Sequence, residues 1–212
     1  MRVDRGDPVF VITADQVDSR HTEDIAEATM LGIEASWGSD LLLPVDRTAG
    51  DEIQLLLEDA AATLAIVLDL TRTGGWSVGC GYGTVNLPLP AHAREANGPA
   101  FVAARDAVDA AKKRDGRFAL RGPDDDHRAE DIEALVDLLL FVRARRSPQG
   151  WELYDLMVPG RTQAEAAGRL GITPQAASKR ARAAAIRHEL AAIPAIGNLL
   201  AEADTGKEEP TA

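Results

Sequence analysis

Two helix starts and one helix stop fall within the twelve residues from Thr162 to Thr173. Thr162 followed three residues later by Glu165 is a capping box, which opens a helix by satisfying two otherwise orphaned backbone donors. Gly171 after Leu170 sits where a left-handed residue closes that helix. Thr173 with Pro174 behind it opens a second one, because proline at the first helical position lacks only a donor that is free there anyway. The stretch GRTQAEAAGRLGITPQAASKRARAAA (160–185) is therefore constrained to two short helices joined by a tight turn. Ala166, Leu170, Ile172 and Ala177 are small or apolar enough for the helices to cross closely.

This spacing predicts a helix-turn-helix whose second helix enters the DNA major groove. The side chains in its first turns that reach base edges are then Gln175, Ser178, Lys179 and Arg182, while Thr162, Thr173 and Arg180 are placed for phosphates. Charge agrees. The chain carries a net −11, but residues 141–190 hold nine basic and four acidic side chains, whereas residues 1–140 sum to −13 and the tail to −3. The positive charge that phosphate binding needs is confined to the segment holding the helix pair. The pair resembles the helix-turn-helix of sigma-factor region four and of small bacterial repressors; no strand pair follows it, so a β-wing is not expected. A helix-turn-helix commonly reads two half-sites, so a homodimer is expected, and Ile193, Ile196, Leu199 and Leu200 form an apolar stripe that either joins two copies or packs on its own chain.

The segment before it has a different grammar. Val9–Ile12 reads as a buried strand, and a helix capped by Thr22 runs to about Ser36 with Ile25, Ala28, Leu31, Gly32 and Ala35 on its apolar face. Runs at 41–46 and 53–57 read as a hairpin. A helix over 59–71 leads to a strand in which Trp76, Val78, Cys80 and Tyr82 alternate with Ser77, Gly79, Gly81 and Gly83, leaving one nearly bare face against which a backbone or a ligand lies close. A helix over 98–113 follows, then Gly122 to Asp126 break the pattern. From Arg128 the chain reads as helical, beginning with Ile132, Leu135, Leu138, Leu139 and Val142 at helical spacing.

The expected fold is α+β, with a sheet domain over 1–121, an all-α DNA-binding domain over 128–204 and a disordered tail over 205–212. The single cysteine excludes an intrachain disulfide, the scattered histidines do not suggest zinc, and no apolar run has signal-peptide or membrane-spanning length, so a cytoplasmic location is expected.

Asp15, after the first strand, and Asp51, in the hairpin turn, reach one sheet edge if their strands lie side by side, where magnesium and a triphosphate could sit; solvated strand ends are the plainer alternative. VITADQVDSR, the turn Gly50-Asp51-Glu52-Ile53-Gln54, VGCGYGTV and GPAFVAARDA follow the order and spacing of the SatD family of small bacterial proteins. More distantly they are similar to the palm-like, ferredoxin-like catalytic domain of class III nucleotidyl cyclases and diguanylate cyclases. The resemblance implies a palm-like domain in which Asp15 and Asp51 hold magnesium with a nucleotide and Arg105 matches the arginine that steadies the transition state. Phe101 stands where cyclases place an asparagine, the turn lacks the two-glycine form, and no base-selecting lysine is evident. Together these readings give a transcriptional regulator whose palm-like domain senses a nucleotide without turning it over. A magnesium-dependent cyclase-like enzyme with a helical targeting module and a dimeric scaffold are the alternatives.

Overall fold

The computed structural model describes residues 8–48, 50–122, 127–158 and 160–204. The chain is a mixed α/β protein, compatible with the α+β expectation, built on one five-stranded sheet. In chain order its elements are β1 (Val9–Gln16), α1 (Ala26–Trp37), β2 (Asp46–Arg47), β3 (Glu52–Leu57), α2 (Ala60–Thr71), β4 (Trp76–Gly83), α3 (Pro99–Ala111) and β5 (Phe118–Arg121). Helices α4 (His127–Ala144), α5 (Pro148–Met157), α6 (Gln163–Arg169), α7 (Pro174–Ala183) and α8 (Ile186–Asp204) complete it. The strand order is β2-β3-β1-β4-β5, antiparallel throughout except for the parallel β4–β5 pair.

Both faces of the sheet are covered, which is why β1 and β3 are apolar on both sides of the pleat. Phe10, Ile12 and Ala14 point to the layer of α1, α2, α4 and the end of α8, while Val9 and Val11 point to α3. The glycine face of β4 belongs to the second layer. A Cβ on Gly79 would lie 2.1 Å from the Val108 nitrogen, and one on Gly81 would lie 2.2 Å from the Ala104 nitrogen. The close approach expected of that face is thus made by the α3 backbone, whose own alanines (Ala100, Ala104, Ala107, Ala111) are fully buried.

Several local expectations are corrected. Thr22 does not cap α1: its hydroxyl donates to the Val17 and Asp18 carbonyls, and Ile25 occupies the N-cap position without a side-chain bond. Helix α1 buries Ala26 and Ile33 and leaves Leu31 65% exposed, so its inward face is rotated from the expected one. The first arm of the hairpin shrinks to Asp46–Arg47 plus a lone bridge from Leu41 to Leu57. Strand β5 was not anticipated. In α4, Ile132, Val136, Leu139 and Leu140 are buried, whereas Leu135 and Leu138 face out.

The helical segment shares its core with the sheet. Ala129, Ile132 and Val136 of α4 and Ile196, Leu200 and Ala203 of α8 belong to the same buried cluster as Phe10 and Ile12, with Ile193 packed against it. The apolar stripe of α8 therefore packs on its own chain, apart from Leu199, which is 41% exposed. A second cluster, Leu153, Tyr154, Ala166, Ala181, Ala184 and Ile186, holds α5, α6, α7 and the start of α8 together. The breaker residues 123–126 and the expected tail 205–212 lie outside the described residues.

Candidate nucleic-acid interface and acidic sheet edge

The helix pair is built by the residues that the spacing singled out. The Thr162 hydroxyl accepts from the Glu165 amide at 3.2 Å, and the Glu165 carboxylate accepts from the Thr162 amide at 2.8 Å, closing the box. Bonds from the Thr162 hydroxyl and amide hold the Glu165 carboxyl below its ordinary pKa. Gly171 takes the left-handed φ of +63°, and the Thr173 hydroxyl accepts from the Ala176 amide at 3.1 Å. Ala166 and Ala177 are fully buried where α6 meets α7.

On α7, Gln175, Ser178, Lys179 and Arg182 fall on one stripe opposite the buried Ala177 and Ala181. Gln175, Lys179 and Arg182 are exposed, Ser178 is half-buried, and among the described residues neither Lys179 nor Arg182 has an ion-pair partner. Arg180 is different: it lies on the far side of α7 from the stripe and bonds back to α5, at 3.4 Å to the Gln149 carbonyl and 3.5 Å to Glu152. Thr162 and Thr173 are exposed at the helix starts with their hydroxyls engaged in capping.

The acidic edge is organised as ion pairs. Asp15 lies opposite Glu52 in the β1–β3 ladder and opposite Ser77 in β1–β4, so all three share the α3 face. Lys112 at the end of α3 contacts Asp15 at 3.2 Å, and Arg105 on the same helix makes a two-pronged contact with buried Glu52 at 2.6 and 3.0 Å. The Thr48 hydroxyl donates to Glu52 at 2.6 Å, and Arg117 donates to Ser77 at 3.3 Å. Asp51 precedes β3 and is half-buried; its carbonyl accepts from the Gln16 amide. The edge thus gathers Asp15 and Arg105, while Asp51 is one pleat step out of phase with Glu52. Phe101 is buried with Val9, Val11 and Leu56, leaving no polar group at that point of α3.

As arranged, these side chains do not fit a magnesium ion. Among the described residues no group of three or more His, Cys, Asp or Glu could hold a metal, and Asp15 and Glu52 already face an ammonium and a guanidinium. Glu52 and Lys112 were not singled out from the sequence. The seven-residue spacing of Arg105 and Lys112, with Asp109 between, sets three charges on one helix face and was the available signal.

In comparisons with known proteins, no family model, no curated protein and no solved structure matched this chain. Among the described residues no helix is long and apolar enough to cross a membrane.

Proposed function

We propose that this chain is a cytoplasmic DNA-binding transcriptional regulator in which α6 and α7 form a helix-turn-helix and the sheet domain is non-catalytic. The observation that carries the reading is the exposed stripe of Gln175, Lys179 and Arg182 on α7, whose two cations have no ion-pair partner among the described residues, on a helix whose start and preceding turn are fixed. Glutamine pairs with adenine and lysine or arginine with guanine at comparable reach, and Ser178 completes the row; Thr162 and Thr173 would meet phosphates at its margins, and Arg180 would do so on leaving Gln149 and Glu152. A palm-like origin for the sheet, and with it kinship to the SatD family, belongs to the same proposal. It is supported by the strand order β2-β3-β1-β4, in which α1 and α2 cover one face, the split βαβ arrangement.

The test is binding of the purified protein to fragments enriched from a genomic pool. Replacing Lys179 and Arg182 together by alanine is expected to weaken binding by about 100-fold or more. It should also relax the preference among fragments, because base contacts carry the sequence information. Unchanged affinity at low salt removes the reading.

The nucleotide-sensing part of the proposal is favoured by Lys112 and Arg105, two half-exposed cations beside Asp15 that a triphosphate could draw from their carboxylate partners. Adding a nucleoside triphosphate mixture with magnesium is then expected to raise the melting temperature by several degrees, and Lys112→Ala with Arg105→Ala should abolish the rise. No shift in the unaltered protein would leave a regulator without this sensor.

A further inference from the structure

Helix α4 carries an outward stripe that nothing in the described chain covers. Asp131, Leu135, Leu138, Val142 and Arg145 alternate by four and three residues, the spacing of a two-helix seam, and Phe141 flanks them. Leu135 is 40%, Leu138 62% and Phe141 60% exposed, and exposed large apolar side chains clustered on one helix mark an interaction surface. Asp131 and Arg145 close the two ends of the stripe; both are exposed, and among the described residues neither has an ion-pair partner. The Arg145 guanidinium lies 5.4 Å over the Phe141 ring, extending the apolar surface under a positive cap.

We infer that the occupant of this face is a second copy of the chain, with the two α4 helices antiparallel about a two-fold axis at Leu138. The charge pattern selects that arrangement. Asp131 and Arg145 lie seven residues to either side of Leu138, and Leu135 and Phe141 lie three to either side. Antiparallel pairing about Leu138 therefore sets each Asp131 against an Arg145 and each Leu135 against a Phe141, with Leu138 meeting its own copy. Parallel pairing would set aspartate on aspartate and arginine on arginine. A self-complementary patch of this kind closes at two copies, as an isologous interface must. Beyond the Asp131 end of the stripe lies a cavity of about 470 Å³ lined by Arg128, Asp131, Ile132, Leu199 and Glu202, so charged groups rim that end. The inference stands whether or not α7 reads DNA.

Sedimentation equilibrium of the full chain is expected to give a dimer, twice the 22.6 kDa chain mass, and Leu138→Arg a folded monomer whose melting temperature, unlike that of the dimer, does not depend on concentration. Asp131→Arg and Arg145→Asp should each weaken the dimer about tenfold, since each disrupts two symmetry-related contacts, and the double exchange should restore it. Leu138→Cys is expected to cross-link to itself under mild oxidation, a clean readout because Cys80 is buried. A monomer at every concentration, a dimer indifferent to both single exchanges, or a double exchange that does not recover would each overturn the proposal.

Discussion

Glu189→Gln is expected to destabilise the protein by about 3–5 kcal/mol, because it leaves two buried guanidinium groups without their counter-charge. Arg143 on α4 and Arg146, two residues past its end, both pair with the Glu189 carboxylate, and the side chains of all three are at most 4% exposed. Other donors of the two guanidinium groups are tied to backbone. Arg143 donates to the Leu68 carbonyl at the end of α2 at 3.0 Å, and Arg146 donates twice to the Ala184 carbonyl, at 3.1 and 3.0 Å. The Trp151 ring sits under both cations, at 4.8 and 4.4 Å, and burial pushes the Tyr154 hydroxyl above its ordinary pKa beside them. Two of the guanidinium nitrogens, Arg143 Nε and Arg146 Nη1, already lack a partner, so the site has no spare acceptor to offer once the carboxylate is gone. Urea melts of the two proteins give the difference. A loss below about 1 kcal/mol would mean that water reaches the pair and that the junction of α2, α4 and α8 is looser than described.

Gly81→Ala is expected to lose stability at or beyond the ~3 kcal/mol end of the overpacking range, although it adds a single methyl group. That carbon would lie 2.2 Å from the Ala104 nitrogen and 2.5 Å from the Ala100 carbonyl oxygen, where contact begins at about 3.5 Å. Backbone cannot step aside as a side chain can, so α3 must lift from the sheet and strain the Arg105–Glu52 and Lys112–Asp15 pairs with it. The same exchange at Gly32 has the opposite sign. A Cβ there meets nothing within 4 Å, in the middle of α1, and should stabilise by up to about 1 kcal/mol through helix propensity. Equal effects at the two positions would refute the packing account.

What could be read ahead of the structure follows the range of the forces involved. The caps at Thr162 and Thr173 and the turn at Gly171 bond within four residues of themselves, so composition alone located them. Gly79 and Gly81 announced a close neighbour but not which one, because α3 comes to them across the sheet. Strand β5 was hidden because it is only four residues long, too short for an alternating pattern to show, although Asp115-Gly116 marks the turn before it. The orientation of α1 was misread because Leu31, the largest apolar side chain on the expected face, is held in solvent. The Arg143–Arg146–Glu189 cluster joins residues more than forty positions apart. Its trace was an arginine continuing the buried row of Ile132, Val136 and Leu139, a charge where a hydrophobe belongs. At the acidic edge the pairing of Asp15 with Lys112 and of Arg105 with Glu52 was not legible, because strand register and the docking of α3 across the sheet set it.

Helix α8 begins in one buried cluster, at Ile186, and ends in the other, at Ile196 and Leu200, with Gly197 lying against Ala61 of α2. During translation the five strands are therefore made long before the residues that seal α2 on its outer side. A growing chain carries an open apolar flank on α2 and α4 until positions 196–203 emerge, and only then can the long-range contacts repay the loop closure they require. The nascent protein is most exposed to mispairing late in synthesis, and a prematurely stopped message would yield a product with its sheet assembled and that flank bare.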